Sequence, residues 1–364
     1  MRWDVYDARS EFVSDPSRIE HQMSGASKIT GVEPAFAIPG AEIAVSCEGF
    51  RMAPGTTDGC YVAGQTCQIV AASSTRILAI VPEDAGEGKT FVHLESLGGL
   101  SNTCEITVGQ QVAEDMHIVA NPAVDPTDDA IILTRSGSRG QHLPATLFRL
   151  EPDGYMDELP EPVLNPTGIA FDNQGQMFVT NRAQGEVYLV GRDGTPTVHC
   201  TGLGIATGIA FDDENRMYVG DRTGTVYRVQ DFGVPETFAV LEPSVAAYHL
   251  AFGPDGRLYV TAPGLASHDA VHAIDKDGGV TTFFRGFGRP QGLAFDTEGN
   301  LYVVACYRGL HGIVRISPDG DLAEHLVAGN NVIGMCFTRD GQMVVATSDT
   351  VYSINCGIRG TLLK

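Results

Sequence analysis

The sequence predicts an all-β protein, a six-bladed β-propeller behind a small immunoglobulin-like β-sandwich, and three observations carry that expectation. Glycine is abundant, at 43 residues, while tryptophan occurs once, a balance typical of short strands and many turns. The pattern Gly168-Ile-Ala-Phe171 recurs as Gly208–Phe211, His249–Phe252, Gly292–Phe295 and Gly334–Phe337, at spacings of 40, 41, 43 and 42 residues. Each copy is followed by a second and a third strand-like run, MFVT and VYLVGRDG in the first case. A period near forty with several short strands per copy marks a propeller, because one such unit cannot bury both of its faces alone. A degenerate copy, Asn121–Val124, ends 47 residues before Phe171 and brings the number to six.

Along the chain, residues 1–26 are polar without a period and read as a tail. Residues 27–109 change character. In AEIAVSCEGF, Ile43, Val45 and Cys47 alternate onto one face, and CYVAG, TCQIV, RILAIVP, KTFVHLES and TCEITV follow, separated by Pro, Gly and Ser. Strands so spaced predict the sandwich. Residues 110–116 read as a linker and 117–364 as the propeller, whose last blade is expected to take its outer strand from Thr361-Leu362-Leu363.

With 24 basic and 45 acidic residues the net charge is −21, which excludes a general nucleic-acid role and predicts an acidic soluble surface. No apolar run approaches the ~20 residues that a bilayer requires. The opening MRWDVYDARSEFVSDPSRIEHQMSG has no apolar segment and is not a secretory signal, so a cytoplasmic location with no membrane partner is expected. The eight cysteines are then expected to be reduced and used as small apolar residues. A two-residue turn at Ala63-Gly64 would set Cys60 opposite Cys67 and leaves a bridge open there.

VEPAFAIPGAEIAVSCEGF, SSTRILAIVP and LGGLSNTCEITVG resemble the opening, middle and closing strands of an IPT/TIG domain, over about eighty residues. The resemblance implies a docking module or spacer, since the basic loops of its DNA-binding members are missing. The repeats resemble NHL repeats and the senescence-marker/gluconolactonase propellers from Met116 to about Cys356, most closely at GLAFDTEGNLYVVACYRGLHGIVRISPDG. That family holds a divalent metal on the channel axis through a Glu, an Asn and an Asp. Its Glu-Gly-Pro, Pro-Asn-Gly and Pro-Asp-Gly become Ala120-Asn121-Pro122, Ala247-Tyr248-His249 and Pro290-Gln291-Gly292, with no carboxylate left. A hard cation needs several oxygen ligands, charged ones among them, so no metal and no cofactor is expected. The axial histidines of the related peptide-amidating lyases are missing too: Thr167, Thr207, Tyr248, Gln291 and Ile333 stand at the inner positions and His249 sits one residue late. The repeated Asp-x-x-Gly turns read as Asp capping its own turn, with Gly at positive φ.

Chemistry is expected at the mouth of the channel. Polar residues recur after each second strand: Arg135, Ser136 and Arg139; Asn181 and Arg182; Asp221 and Arg222; His268 and Asp269; Tyr307, Arg308 and His311; Asp349. They either form a pocket for a carboxylate or phosphate or tie neighbouring blades together, and the sequence leaves both open. One reading is a binding or scaffold propeller in which Asn181, Arg182, Asp221, Arg222, Gln291, Tyr307 and Arg308 hold a small anionic molecule or a partner's peptide. The alternative is a hydrolase or lyase acting on a lactone or ester, with Tyr248, His249 and His311 as acid/base candidates.

Overall fold

The computed structural model describes residues 26–52, 59–265 and 268–363. The expected tail over residues 1–26 lies almost wholly outside them. Apart from one three-residue turn of 3₁₀-helix at Asp231–Gly233, the described elements are strands. No helix among the described residues is long and apolar enough to cross a membrane.

Two sheets pack face to face at the N-terminal end. One runs Lys28–Glu33, Glu42–Glu48, Arg76–Ile80, Gln68–Ala72, and the other runs Phe36–Ala37, Cys104–Val108, Gly88–Ser96, Cys60–Val62, Gln65–Thr66. Their alternating inward residues, among them Ile43, Val45, Ile77, Ala79, Val92 and Ile106, form a common core, the outcome expected of period-2 patterning on two half-buried sheets.

Six four-stranded antiparallel units follow. Unit 1 is Ala123–Val124, Ile131–Thr134, Leu147–Leu150 and Met156–Glu158; unit 2 is Pro166–Phe171, Met177–Asn181, Glu186–Val190 and Pro196–Cys200; unit 3 is Ala206–Phe211, Met217–Asp221, Thr225–Gln230 and Val234–Val240. Unit 4 is His249–Phe252, Leu258–Thr261, Asp269–Ile274 and Val280–Phe287, and unit 5 is Leu293–Phe295, Leu301–Tyr307, Leu310–Ile316 and Ala323–Ala328. Unit 6 is Val332–Phe337, Gln342–Thr347, Val351–Asn355 and Gln110–Ala113. The first strands of successive units touch in order, and Val332–Phe337 meets Ala123–Val124, so the units close into the ring of a β-propeller.

The first two strands of units 2 and 3 are buried along their whole length, because each unit is covered on both faces by its neighbours. The repeated Phe has a specific task. Phe211, Phe252, Phe295 and Phe337 each meet the second-strand aromatic of the preceding unit, Phe178, Tyr218, Tyr259 and Tyr302, with ring centroids 5.2, 5.1, 4.8 and 5.1 Å apart. The three tyrosines also donate to the turn carboxylates of their own units, Asp212, Asp255 and Asp296. The Asp-x-x-Gly turns are capped as expected: Asp172 Oδ1 accepts from the N–H groups of Gln174 and Gln176, and Gly175 has φ +73°.

The closing strand corrects the sequence reading. Unit 6 takes its outer strand from Gln110–Ala113, inside the segment expected to be a linker, which pairs antiparallel with Val351–Asn355. The C-terminal residues instead turn inward. The Thr361 N–H and hydroxyl both donate to Phe295 O, at 2.8 and 3.0 Å, and Leu363 is buried. Gly360 lies so close to the Phe337 ring that a Cβ there would sit 1.9 Å from its Cγ. The apolar Leu362-Leu363 pair thereby gains burial that an outer edge strand cannot offer.

Phe36–Ala37 joins the two parts. It pairs in parallel with Thr107–Val108 on one side and with Val327–Ala328 of unit 5 on the other, and the Ile38 N–H donates to Ala328 O at 3.0 Å. One apolar core runs through sandwich and ring. Wild-type protein is therefore expected to unfold in a single calorimetric transition, and Ile38→Pro, which removes that N–H, to split it in two. Phe295→Ala is expected to cost about 3–5 kcal/mol in denaturant titrations, the usual penalty for emptying a buried aromatic position.

Candidate functional site

The ring has two unlike ends. At one end each second strand finishes and each first strand begins; at the other the Asp-x-x-Gly turns lie and the C-terminal strap crosses. The first end collects the polar residues singled out above, and the structure sorts them into two kinds.

Asn181 and Asp221 are buried and serve the backbone. Asn181 Oδ1 accepts from the N–H groups of Ala183 and Gln184, and its amide donates to Gln184 at 2.7 Å. Asp221 Oδ1 accepts from the N–H groups of Ile205 and Thr223, and its other oxygen accepts from the Thr223 hydroxyl. Gln291 is half-buried and ties units together, its backbone carbonyl accepting from the Thr261 hydroxyl and its side-chain amide donating to Val332 O. The Asn-Arg and Asp-Arg neighbours in the sequence are therefore not ion pairs.

The arginines beside them are free of carboxylates. Among the described residues, no Asp or Glu forms an ion pair with Arg135, Arg139, Arg182 or Arg222. Arg182 donates to Gly137 O at 2.9 Å, which ties it to the Arg135–Arg139 loop, and Arg222 donates to Ser244 O at 3.2 Å. Burial lowers the Arg182 pKa, and the neighbouring Arg222 and Arg139 guanidiniums lower it further. Three buried polar atoms here, Arg135 Nε, Ser136 Oγ and Arg182 Nε, have no hydrogen-bond partner within the protein. Buried donors without acceptors cost about 1–3 kcal/mol each, so an anion brought to this rim would satisfy both charge and hydrogen bonding.

Further round the ring, the Tyr307 ring packs against Phe284, Phe287 and His325, and Arg308 stacks over it at 4.9 Å. His311 is exposed on the strand opposite Cys306. Tyr248 and His249 are buried in unit 4, where the Tyr248 hydroxyl donates to Glu242 O, and burial with the charges of Asp221 and Glu242 pushes its pKa up to about 12. The room for Tyr248 comes from Gly220, where a Cβ would lie 2.9 Å from that of Tyr248. His249 is 2% exposed, and burial takes its pKa down to about 3, so the ring is neutral. The structure thus does not gather Tyr248, His249 and His311 at one solvent-facing point.

The axis itself is nearly filled. A cavity of about 20 Å³, room for one water, remains between Asn121, Gly168, Gly208, Tyr248, His249 and Leu363. Asn121 spans the centre, donating to Leu293 O and accepting from Met335 N–H, both at 3.1 Å. At the positions where the resembled family places its metal ligands, Asn121, Tyr248 and Gln291 are each committed to backbone groups. Among the described residues, no three His, Cys, Asp or Glu side chains gather where a metal could be held. These residues do not fit an axial divalent cation.

Comparison with known proteins agrees with the fold. The region described as SMP-30/Gluconolactonase/LRE-like matches residues 176–350. No curated protein matches the chain. Among solved structures, a candidate gluconolactonase superposes with a TM-score of 0.57 at 17% identity, covering 69% of this chain and 93% of its own. A gluconolactonase from Xanthomonas campestris gives 0.52 at 16%, covering 67% and 88%. An auxiliary nutrient binding protein from Bacteroides thetaiotaomicron gives 0.53 at 13%, covering 91% and 98%. At these identities the likeness concerns the fold, a gluconolactonase-like β-propeller.

The neutral, buried His249 makes stability depend on pH. Its folded pKa lies below the unfolded value, so between pH about 6.5 and about 3 only the unfolded chain takes up the proton, and stability falls as pH falls, by up to about 1.4 kcal/mol per pH unit. Thermal unfolding of wild type and His249→Gln from pH 7 to 4 checks this: the variant is expected to lose less stability over that range.

Proposed function

We propose that the protein is a binding propeller that holds a small anionic ligand, a carboxylate or a phosphate, on the arginine rim formed by Arg139, Arg182 and Arg222. The observation that carries this reading is the half-buried Arg182, crowded by two like charges and left with an unpartnered Nε. Guanidinium groups take planar oxyanions in two-point contacts, and among the described residues no carboxylate forms an ion pair with this cluster. Arg308 and Tyr307, two units beyond Arg222 in unit 5, would contact only a ligand large enough to span the mouth, such as a partner's peptide. In the same reading the units are six blades of a gluconolactonase-type or NHL-like propeller, and the N-terminal sheets are an IPT/TIG-like docking module. The name of the Bacteroides thetaiotaomicron protein, whose likeness extends over both parts, is compatible with ligand capture.

A second reading, a lactone or ester hydrolase or a lyase, is favoured by the match of residues 176–350 to the gluconolactonase-like region. It requires a catalytic arrangement other than the axial one, since Tyr248 and His249 are buried and the axial side chains are engaged with backbone. Base uptake with gluconolactone in a pH-stat, above the uncatalysed rate and lost in an Arg182→Ala variant, would move the assignment to this class.

Isothermal titration with gluconate and with inorganic phosphate tests the first reading. Arg182→Ala with Arg222→Ala is expected to weaken binding by about 2 kcal/mol or more, roughly 30-fold, while the melting temperature stays close to wild type. Affinity is also expected to fall as salt rises. Binding that is indifferent to both substitutions would overturn the site.

A further inference from the structure

The sandwich contains three buried thiols that take no part in the arginine rim. Cys47, Cys60 and Cys67 are 3%, 0% and 1% exposed. Cys60 and Cys67 face each other across a hairpin that turns in two residues, Ala63 at φ +53° and Gly64 at φ +80°. Tyr61 pairs with Thr66 and Val62 with Gln65, and the Cys67 N–H donates to Cys60 O at 2.8 Å. Hydrogen-bonded partners on antiparallel strands have Cα atoms about 5.5 Å apart, inside the range of roughly 4.4–6.8 Å that a disulfide spans.

We infer that Cys60 and Cys67 are a dithiol that closes to an intrachain disulfide when the protein meets a disulfide oxidant, making this hairpin a redox modification site. The oxidant is a low-molecular-weight disulfide such as glutathione disulfide. The Cys67 thiol gives its proton to solvent and the thiolate attacks one oxidant sulfur; that S–S bond breaks, one thiol leaves, and a mixed disulfide remains. The Cys60 thiolate then attacks the Cys67 sulfur and expels the second thiol. Two electrons pass from the protein to the oxidant, and the two protons end on the released thiols.

In the closed hairpin the hydrogen bond from its partner and burial hold the Cys60 thiol well above the usual thiol range, so the folded pair is not nucleophilic. Reaction belongs to the opened hairpin, and the hairpin is placed to open. Gln65–Thr66 is the terminal strand of its sheet and both residues are exposed. Cys47 is the competing thiol, close enough to influence Cys60.

The sequence makes the test unambiguous. Trypsin places Cys60 and Cys67 together on Met52–Arg76 with no other cysteine, and Cys47 alone on Ile29–Arg51. The full-length protein is incubated with glutathione disulfide, quenched, alkylated under denaturing conditions without reductant, and mapped by mass spectrometry. The expected result is Met52–Arg76 lighter by two hydrogens and without alkyl groups, restored to double alkylation by prior reduction, with Ile29–Arg51 alkylated throughout. In Cys67→Ala, Cys60 is expected to be alkylated or to remain glutathionylated. Full alkylation of both cysteines after prolonged oxidation of wild-type protein, or a cross-link between Ile29–Arg51 and Met52–Arg76, overturns the inference.

Discussion

The ring depends on one repeated contact, the aromatic residue of a second strand packed at a steep angle against the phenylalanine that ends the next unit's first strand. Four such pairs link units 2 to 6. Each contributes about 0.5–1.5 kcal/mol beyond the area it buries, and each fixes the angle at which one sheet meets the next. Where the aromatic is tyrosine, its hydroxyl also reaches the carboxylate that caps its own unit's turn. Inter-unit packing and turn geometry are thereby tied to the same side chain. A unit cannot tilt without disturbing both, and the channel end that carries the arginines inherits its shape from this constraint.

A ring of separate sheets leaves an outer edge on each unit, and open edges invite unwanted pairing. Unit 5 has its outer edge covered by a strand of the sandwich, and unit 6 takes its outer strand from the chain on its way out of the sandwich. Phe36–Ala37 lies along Ala323–Ala328, and Gln110–Ala113 lies along Val351–Asn355. Gly109 makes the second crossing feasible, since a Cβ there would sit 3.0 Å from the Ile354 side chain. The same two strands connect the N-terminal sheets to the ring without a free linker, so the sandwich is continuous with units 5 and 6.

What was legible in the sequence follows from periodicity. Gly-Ile-Ala-Phe at intervals of about forty, and the Asp-x-x-Gly turn directly after it, report local geometry and recur because each unit solves the same packing problem. The shared position of Arg182 and Arg222 was legible for that reason. The closing strand was not. Gln110–Ala113 is short, only half apolar and outside the repeat, whereas Thr361-Leu362-Leu363 looks like an edge strand until Gly360 is seen to let it cross the Phe337 ring. Nor could spacing tell that Asn181 and Asp221 bend back to cap their own turns, leaving each neighbouring arginine without a carboxylate. That division depends on which side chain is short enough to reach the turn's N–H groups.

The axis explains why the proposed site falls on the rim. Asn121 crosses the centre of the ring only because Gly292 and Gly334 flank it; a Cβ on Gly292 would lie 2.2 Å from Asn121 Oδ1, and one on Gly334 2.5 Å from Ala120 O. Once there, the amide binds the backbone of units 5 and 6 and closes the ring on unit 1 from the inside. A propeller that keeps an ion on its axis must point several oxygens at an open centre. In this chain the corresponding side chains serve backbone partners, and Leu363 seals the far side. Outside that plug, Arg139, Arg182 and Arg222 of units 1 to 3 stand without an ion-pair partner among the described residues. In a chain of net charge −21, that clustering of arginines is what the proposed anion site rests on.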